Sequence, residues 1–146
     1  MAISFSNNNI TFNLKLKSEL KTWIKSIIEK EKRTLGNLNY TFVSDESLLK
    51  INIDYLKHNT YTYIITFNYN EGKKVSGDVF ISVDRVKENA QEFDVSFEEE
   101  LHRVIIHGVL HLCDYKDKTK ADAEVMRKTE NRSLNKLKVI LSPKKG

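Results

Sequence analysis

Two histidines four residues apart lie in one of the most apolar runs of this sequence. His107 and His111 fall within RVIIHGVLHL, whose other residues are mostly valine, leucine and isoleucine. In an α-helix, side chains four residues apart lie above one another, with Cβ atoms about 5–6 Å apart. That spacing allows both imidazoles to bind one metal ion, because zinc–nitrogen bonds measure about 2.0–2.1 Å. The pair therefore predicts a metal site on a buried helix.

The alternative is that the two histidines are buried separately, each hydrogen-bonded to a backbone carbonyl. Two such residues in one apolar helix would need two independent hydrogen-bonding partners at buried positions. A shared metal ion satisfies both rings at once, so we favour the metal site. His102 lies five residues before His107, and we expect it to point elsewhere and to lie at the surface.

A third metal ligand is expected in the segment that follows the two histidines. A catalytic zinc site usually has three protein ligands and one open position. In the pattern H-E-x-x-H-x-x-G-x-x-H the third ligand comes six residues after the second histidine, and here that residue is Asp117. Asp114 occupies the place of the glycine, and we expect it to form the turn because aspartate tolerates a left-handed backbone. The predicted metal ligands are thus His107, His111 and Asp117.

The residue after the first histidine argues against a peptidase. In zinc proteases of the H-E-x-x-H type, the glutamate at that position is the general base, whereas this sequence has Gly108. A glycine in a helix interior costs about 1 kcal/mol relative to alanine. We therefore expect something to pass close to the helix at this point, such as a substrate or another backbone. Peptide hydrolysis remains a minor alternative.

The elements that position this motif can be read from the hydrophobic pattern. Four segments have the alternation or composition of β-strands, the last two as an antiparallel hairpin: residues 9–14, 38–44, 60–69 and 75–83. Gly36 and Asn37 should break the chain before the second strand. Five segments predict helices, four of them opened by a capping side chain: Ser18, Ser44, Ser96 and Thr119, with a further helix over 84–93. The order β-α-β-α-β-β-α-α-α predicts an α+β fold, with a mixed central sheet covered by helices in a single domain over residues 1–146.

Composition and charge set limits on compartment and partners. The 146 residues are 40% hydrophobic and 30% charged, with a mean hydropathy of −0.47. We find no membrane span and no signal peptide, and the single Cys113 cannot form an internal disulfide, so we expect a cytoplasmic protein that does not bind membranes. Lysine and arginine outnumber aspartate and glutamate by 24 to 20. This excess suits nucleic acid, although ordinary solvated surfaces show it too.

The run H-G-V-L-H-L-C-D-Y-K-D resembles the signature H-G-x-L-H-L-x-G-Y-D-H of the YbeY family, metal-dependent endoribonucleases of bacterial ribosomal-RNA maturation. Beyond the two histidines, the matching residues are Gly108, Leu110, Leu112 and Tyr115. Weaker matches extend the resemblance over roughly residues 38–134: Asn52, Tyr55, Thr62, Phe67, the run 77–82, Glu124 and Met126. The resemblance implies a zincin-like metal helix in an α+β fold, with the metal near a cleft.

Four positions depart from the family pattern: Leu56, Asp114, Lys116 and Asp117. Asp117 replaces a histidine; it keeps a ligand but makes the site harder and more negative, which favours other divalent metals. Leu56 replaces the arginine that the resemblance implies as the phosphate contact. Lys57 and His58 are adjacent and could substitute, although an ammonium does not reproduce the bidentate fork of a guanidinium. A solvated loop at these two residues is the alternative.

The resemblance implies a single-strand-specific, zinc-dependent endoribonuclease with one ion per chain. It would act in ribosomal-RNA processing, including 3′-end maturation of the small-subunit RNA, and in ribosome quality control. The candidate catalytic residues are His107, His111 and Lys57, and either water or the RNA 2′-hydroxyl would be the nucleophile. Expected partners are single-stranded ribosomal RNA and components of the small subunit. The alternative is a ribosome-associated RNA-binding assembly factor whose metal is mainly structural.

Overall fold

The structure, a computed structural model, describes residues 2–56 and 62–142. Its strands are β1 (Ala2–Asn7), β2 (Thr34–Val43), β3 (Ile64–Asn68) and β4 (Lys74–Ser82). Its helices are α1 (Lys17–Lys30), α2 (Asp45–Leu56), α3 (Val83–Glu92), α4 (Phe97–Leu112) and α5 (Lys120–Leu141). The order of these elements is the predicted one, and the fold class is α+β.

The strands form one mixed sheet in the order β1-β2-β4-β3. β2 pairs in parallel with both β1 and β4. β3 pairs antiparallel with β4, which confirms the predicted hairpin, and it forms one edge of the sheet. Residues 60 and 61 of the predicted third strand lie outside the described residues, and β3 itself begins at Ile64.

Helices cover both faces of the sheet. Successive strand residues point to opposite faces, so neighbouring residues of one strand pack against different helices. Ile64 and Val79 face α4, which lies in the large core together with α1 and α5. Ile65, on the opposite face, packs with Leu48 of α2 in a smaller cluster. The face of α1 that the sequence predicts as buried is buried: Leu20, Trp23, Ile24, Ile27 and Ile28. The mixed sheet covered by helices is thus confirmed.

Three predicted capping side chains close helix N-termini. The hydroxyls of Ser44, Ser96 and Thr119 accept hydrogen bonds from backbone N–H groups three residues later, at 3.2, 3.1 and 3.0 Å. Each supplies an acceptor to a backbone donor that the helix itself leaves unpaired. The caps of α4 and α5 matter most here, because these two helices carry the residues around the predicted metal site.

The prediction was wrong at the N-terminus. The first strand is β1 and not residues 9–14, because Asn9 adopts a left-handed backbone (φ 61°) that turns the chain away from the sheet. The alternating residues of 9–14 still pack on the core, where Leu14 is buried. Ser18 lies inside α1, whose N-cap is Leu16 with a left-handed backbone and no side-chain hydrogen bond.

Gly36 and Asn37 do not break the chain, contrary to the prediction. β2 runs through both residues, and its pairing with β4 shifts register between Leu35 and Leu38. A β-bulge of this kind absorbs extra residues without ending the strand. A side chain at position 36 would collide with Ser76 and the neighbouring strand, so glycine allows the two strands to approach here.

The single cysteine and the absence of a predicted membrane span can be compared with the structure. Cys113 is buried, and burial raises the pKa of its thiol to about 11, which is the opposite of what a reactive cysteine needs. Across the two described ranges, every helix is too short or too polar to cross a bilayer.

Candidate metal centre

The structure brings the three predicted ligands together. His107 and His111 lie one turn apart on α4, with ring centroids 4.4 Å from each other. The segment after α4 carries Asp117 back across them. Its Oδ2 atom lies 3.5 Å from Nε2 of His107 and 3.4 Å from Nε2 of His111. One ligand atom from each residue can be chosen so that all three lie within 4.8 Å of one another.

These distances fit a single ion. With bonds of about 2.0–2.2 Å, the ligand atoms around tetrahedral zinc are separated by roughly 3.3–3.5 Å. The two nitrogen–oxygen separations, 3.5 and 3.4 Å, agree with that spacing. Two imidazoles and one carboxylate are also a chemically suitable donor set. The cluster of His107, His111 and Asp117 could therefore bind a metal ion.

Both imidazole rings are oriented by acceptors at Nδ1. Nδ1 of His107 donates to Oε2 of Glu130 at 2.6 Å, and Nδ1 of His111 donates to the backbone oxygen of Tyr115 at 3.0 Å. A carboxylate and a carbonyl have no proton to donate, so each Nδ1 carries the hydrogen. In a neutral ring with this tautomer, Nε2 has the lone pair that can bind a metal, and the Nε2 atoms of both histidines lie near Oδ2 of Asp117.

Glu130 is the residue that the sequence reasoning missed. Its side chain on α5 is buried, and besides His107 it accepts a hydrogen bond from Arg103 at 3.1 Å. A buried carboxylate is rare unless it is paired. The signal was present in the sequence, because Glu130 falls between Met126 and Leu134 on the face of α5 that packs on the core. A glutamate on such a face marks a buried polar contact.

The turn after α4 forms as predicted. Asp114 has a left-handed backbone (φ 72°), and its carboxylate pairs with Arg33 at 2.6 Å instead of facing the histidines. The N–H of Tyr115 donates to the carbonyl of Leu110 at 2.9 Å, which closes the end of the helix. Asp114 is therefore a turn residue, and the reversal it makes brings Asp117 to the histidines.

Gly108 allows α4 to lie close to the sheet. A Cβ atom at this position would lie 3.0 Å from Cδ1 of Ile64 and 3.2 Å from Cγ1 of Val79. The groups that pass close to the helix are therefore side chains of β3 and β4, and not the substrate or backbone that we expected. The glycine therefore allows close packing of α4 on the sheet.

His102 does not join the cluster, but it is not a surface residue as expected. It is half-buried and meets the ring of Trp23 edge-on at 6.3 Å between ring centroids. Burial lowers its pKa. This histidine therefore belongs to the packing between α1 and α4, away from the metal centre.

The electrostatics favour a neutral His111 and a protonated Tyr63. Burial lowers the pKa of His111, and the neighbouring His107 adds to that effect. A neutral imidazole is the form that binds a metal. The hydroxyl of Tyr63 lies 3.3 Å from Nε2 of His107, and burial, followed by the charge of Glu130, raises its pKa to about 12. Tyr63 therefore stays a hydrogen-bond donor.

The cluster lies where two cavities meet. One cavity of about 400 Å³ lies between α3, α4 and α5, and the other, of about 420 Å³, lies between α2, β3 and α4. Tyr63, His107 and Asp117 line both. Leu56 lines the second cavity, whereas the proposed catalytic residue Lys57 lies outside the described residues, as does His58. All three candidate ligands thus line the second cavity, and His107 and Asp117 line the first as well.

The chain is similar to known proteins of one family over nearly its whole length. The profile of the family described as "Endoribonuclease YbeY" matches residues 2–138. A relative of that name from Flavobacterium johnsoniae is 48% identical over 128 residues, 88% of this chain and 92% of the relative. Another, from Bacteroides fragilis, is 45% identical over 134 residues, 92% of this chain and 96% of the relative. The solution structure of TM1509 from Thermotoga maritima matches with a TM-score of 0.66 and 27% identity, covering 99% of each chain. This chain therefore belongs to the YbeY family.

Proposed function

We propose that this chain is a single-strand-specific endoribonuclease that depends on one divalent ion held by His107, His111 and Asp117. The observation that supports the proposal is the convergence of these three side chains on one point, where they line the cavity between α2, β3 and α4. The name endoribonuclease, which its relatives bear, indicates the same chemistry. The proposal treats residues 1–146 as one ribonuclease domain.

Zinc is the proposed ion, at one per chain. Two imidazole nitrogens and one carboxylate oxygen correspond to catalytic zinc sites, in which the protein supplies three ligands and leaves one position open. Within residues 2–56 and 62–142, the cluster contains three candidate ligands and no fourth. Because Asp117 is a harder ligand than a third histidine, manganese and other divalent ions are the alternatives.

Each residue around the cluster would have a separate role in catalysis. When bound, a divalent ion supplies Lewis-acid chemistry, polarising a phosphoryl oxygen and favouring attack on phosphorus near neutral pH. Glu130 and the carbonyl of Tyr115 hold the two imidazoles in place. Tyr63 can donate a hydrogen bond to a phosphoryl oxygen, because its hydroxyl lies beside His107 and keeps its proton. Either water or the RNA 2′-hydroxyl would attack.

The cleft also supports the choice of single-stranded RNA. Unstacked bases can enter cavities of this size, whereas bases inside a duplex cannot. Arg103 and Arg127 line the first cavity and supply positive charge beside the cluster. Leu56, at the position where the family pattern has an arginine, lines the second cavity. We propose Lys57, the next residue in the sequence, as the phosphate contact. The net charge of +4 favours a polyanionic partner.

The cellular role proposed here follows the family. It comprises ribosomal-RNA processing, including 3′-end maturation of the small-subunit RNA, and ribosome quality control. Its partners would be single-stranded ribosomal RNA and components of the small subunit, in the cytoplasm, where ribosomes are assembled.

The proposal is tested by measuring metal content and RNA cleavage on the same samples. Purified protein should contain about one equivalent of zinc and cleave a single-stranded RNA, and a chelator should abolish the cleavage. His111→Ala should lose both metal and cleavage. His102→Ala removes another histidine of α4, outside the cluster, and should keep both. Metal-free protein that cleaves RNA as fast as the loaded form would refute the proposal.

A second candidate function is an RNA-binding assembly factor with a mainly structural metal. The observation that favours it is Leu56, which cannot contact a phosphate as the family arginine would. In that case, zinc should raise the unfolding temperature and RNA should bind, but no RNA product should form at any zinc concentration. Cleavage that depends on zinc would exclude this candidate.

A further inference from the structure

The cavity between α3, α4 and α5 contains a buried carboxylate that the metal centre does not use. Glu100 lines this cavity and is only 5% exposed. Among the described residues, its carboxylate makes no hydrogen bond and no ion pair, unlike Glu130, which lines the same cavity and has two partners. Burial of a carboxylate that has no hydrogen-bond partner disfavours its charged form. Proteins retain such groups mainly where function requires them.

The position of Glu100 in the first turn of α4 does not explain its burial. Acidic residues at a helix N-terminus are stabilised by the helix dipole, and the neighbouring Glu98 serves this purpose from an exposed position. Burial nevertheless raises the pKa of Glu100, although Arg103 and Arg127 act in the opposite direction. Burial of the side chain therefore disfavours its charged form, and the first-turn position alone does not account for its place in the cavity.

Glu100 lies on the same face of α4 as the metal ligands. Positions 100, 104, 107 and 111 repeat at helical spacing, so Glu100 lies two turns from His107, about 10 Å along the helix axis. The cavity of about 400 Å³ connects the two residues. A group bound at Glu100 would thus be attached to a strand whose phosphate lies at the metal centre.

The other walls of the cavity suit a nucleotide. Phe93 lines it and is 54% exposed, so its ring is accessible for stacking. Arg127 also lines it, is exposed, and makes no hydrogen bond or ion pair with any described residue. One cavity thus contains an aromatic ring, an exposed guanidinium and a carboxylate that has no hydrogen-bond partner among the described residues. These groups can bind a base, a phosphate and a Watson–Crick edge respectively.

We propose that this cavity is a base-recognition subsite in which the carboxylate of Glu100 binds guanine in a single RNA strand. The proposal rests on the ribonuclease function proposed above. An ionised carboxylate accepts hydrogen bonds at both oxygens and donates none. Guanine presents two adjacent donors, N1–H and N2–H, to such a group. Adenine and cytosine present one donor beside a lone pair, and uracil has its donor between two carbonyl oxygens, so these bases fit less well.

The test measures binding, so that it does not depend on catalysis. The zinc-loaded full chain is titrated into fluorescein-labelled 2′-O-methyl oligouridine hexamers that carry one guanine at each position in turn. A good bidentate contact to a base discriminates by about 1–3 kcal/mol, which corresponds to at least fivefold in affinity. One guanine position should therefore bind about tenfold more tightly than the all-uridine hexamer, and adenine there should gain far less.

Three variants isolate the contact. Glu100→Gln should lose the guanine advantage while its affinity for oligouridine changes less than twofold. Glu98→Gln makes the same charge change on the exposed side of α4 and should keep the advantage. Phe93→Ala should weaken every hexamer at least fivefold, because stacking does not distinguish bases. The unfolding temperature of Glu100→Gln, measured beside that of the wild type, shows that the variant is folded.

Two results would overturn the subsite: wild-type protein with no favoured guanine position, or Glu100→Gln that keeps the advantage. Failure of the proposed function looks different. In that case, no unmodified RNA is cleaved by any variant, whatever the hexamers show.

Discussion

Replacing Glu130 with glutamine tests how the metal ligands are held without touching a ligand. The side chain keeps its shape, but the negative charge that accepts the hydrogen bond from Nδ1 of His107 at 2.6 Å is lost. The glutamine amide can present its NH₂ group to His107 and favour the wrong ring tautomer. Arg103, which donates to Glu130 at 3.1 Å, loses its ionic partner as well.

The expected loss follows from the chemistry of this contact. Hydrogen bonds to charged groups contribute about 1.5–3 kcal/mol, whereas neutral ones contribute about 1 kcal/mol. The difference of about 0.5–2 kcal/mol corresponds to between twofold and thirtyfold in affinity. Changing a group that orients a metal-binding histidine typically lowers the metal affinity 10–100-fold. The two ranges overlap between about tenfold and thirtyfold, so we expect Glu130→Gln to raise the zinc Kd by at least about tenfold.

The assay is a competition titration of zinc between the protein and a fluorescent chelator. Glu124→Gln is the matched control, because Glu124 lies on the same helix, is exposed, and loses the same charge. Its zinc Kd should stay within twofold of the wild-type value. A Glu130→Gln protein that is folded and also stays within twofold would refute the reasoning, since Glu130 would then contribute nothing to the orientation of His107.

Three further predictions follow from the same geometry. Gly108→Ala should lower the unfolding free energy by up to about 2 kcal/mol, because overpacking against the sheet outweighs the gain in helix propensity; a higher melting temperature would contradict this. Asp114→Gly should leave the zinc Kd within twofold, whereas Asp117→Ala should raise it at least tenfold; equal effects would contradict the assignment of one as a turn residue and the other as a ligand. In metal-free protein, the unfolding free energy should fall as the pH drops below about 6.5, because the folded state lowers the pKa of His102 and His111 and binds protons less readily than the unfolded chain. Denaturation at pH 7.5 and 5.5 measures this dependence, which His102→Gln should weaken; stability that rises on acidification would contradict the sign.

The local parts of the metal centre could be predicted from the sequence. The spacing of His107 and His111 is a property of any helix, and the apolar neighbours show that the helix is buried. The turn at Asp114 could be predicted from a single residue type that tolerates a left-handed backbone. The helix and the turn were confirmed because each depends on residues close together along the chain.

The long-range contacts could not be predicted in the same way. Glu130 lies 23 residues from His107, and only the packing of α5 on α4 brings the two together. The neighbours of Gly108 come from β3 and β4, so the reason for the glycine depends on how the helix sits on the sheet. The pairing of Asp114 with Arg33 likewise joins positions 81 residues apart. Sequence periodicity identifies the buried face of a helix, but it does not identify the residues of other elements that pack against this face.

The N-terminal error has a similar cause. Residues 9–14 alternate as a strand would, yet their apolar side chains pack on the core from a segment outside the sheet. Alternation shows which side chains are buried and does not show whether the backbone pairs with a strand. β1 is a strand because it pairs with β2, more than thirty residues later in the chain.

The most direct measurement of the central claim is anomalous diffraction at the zinc edge from crystals of the zinc-loaded protein. We predict one peak per chain, with Nε2 of His107 and of His111 about 2.0–2.1 Å from it and an oxygen of Asp117 about 2.0–2.2 Å from it. A peak elsewhere on the chain, or no peak between these three side chains at saturating zinc, would contradict the account.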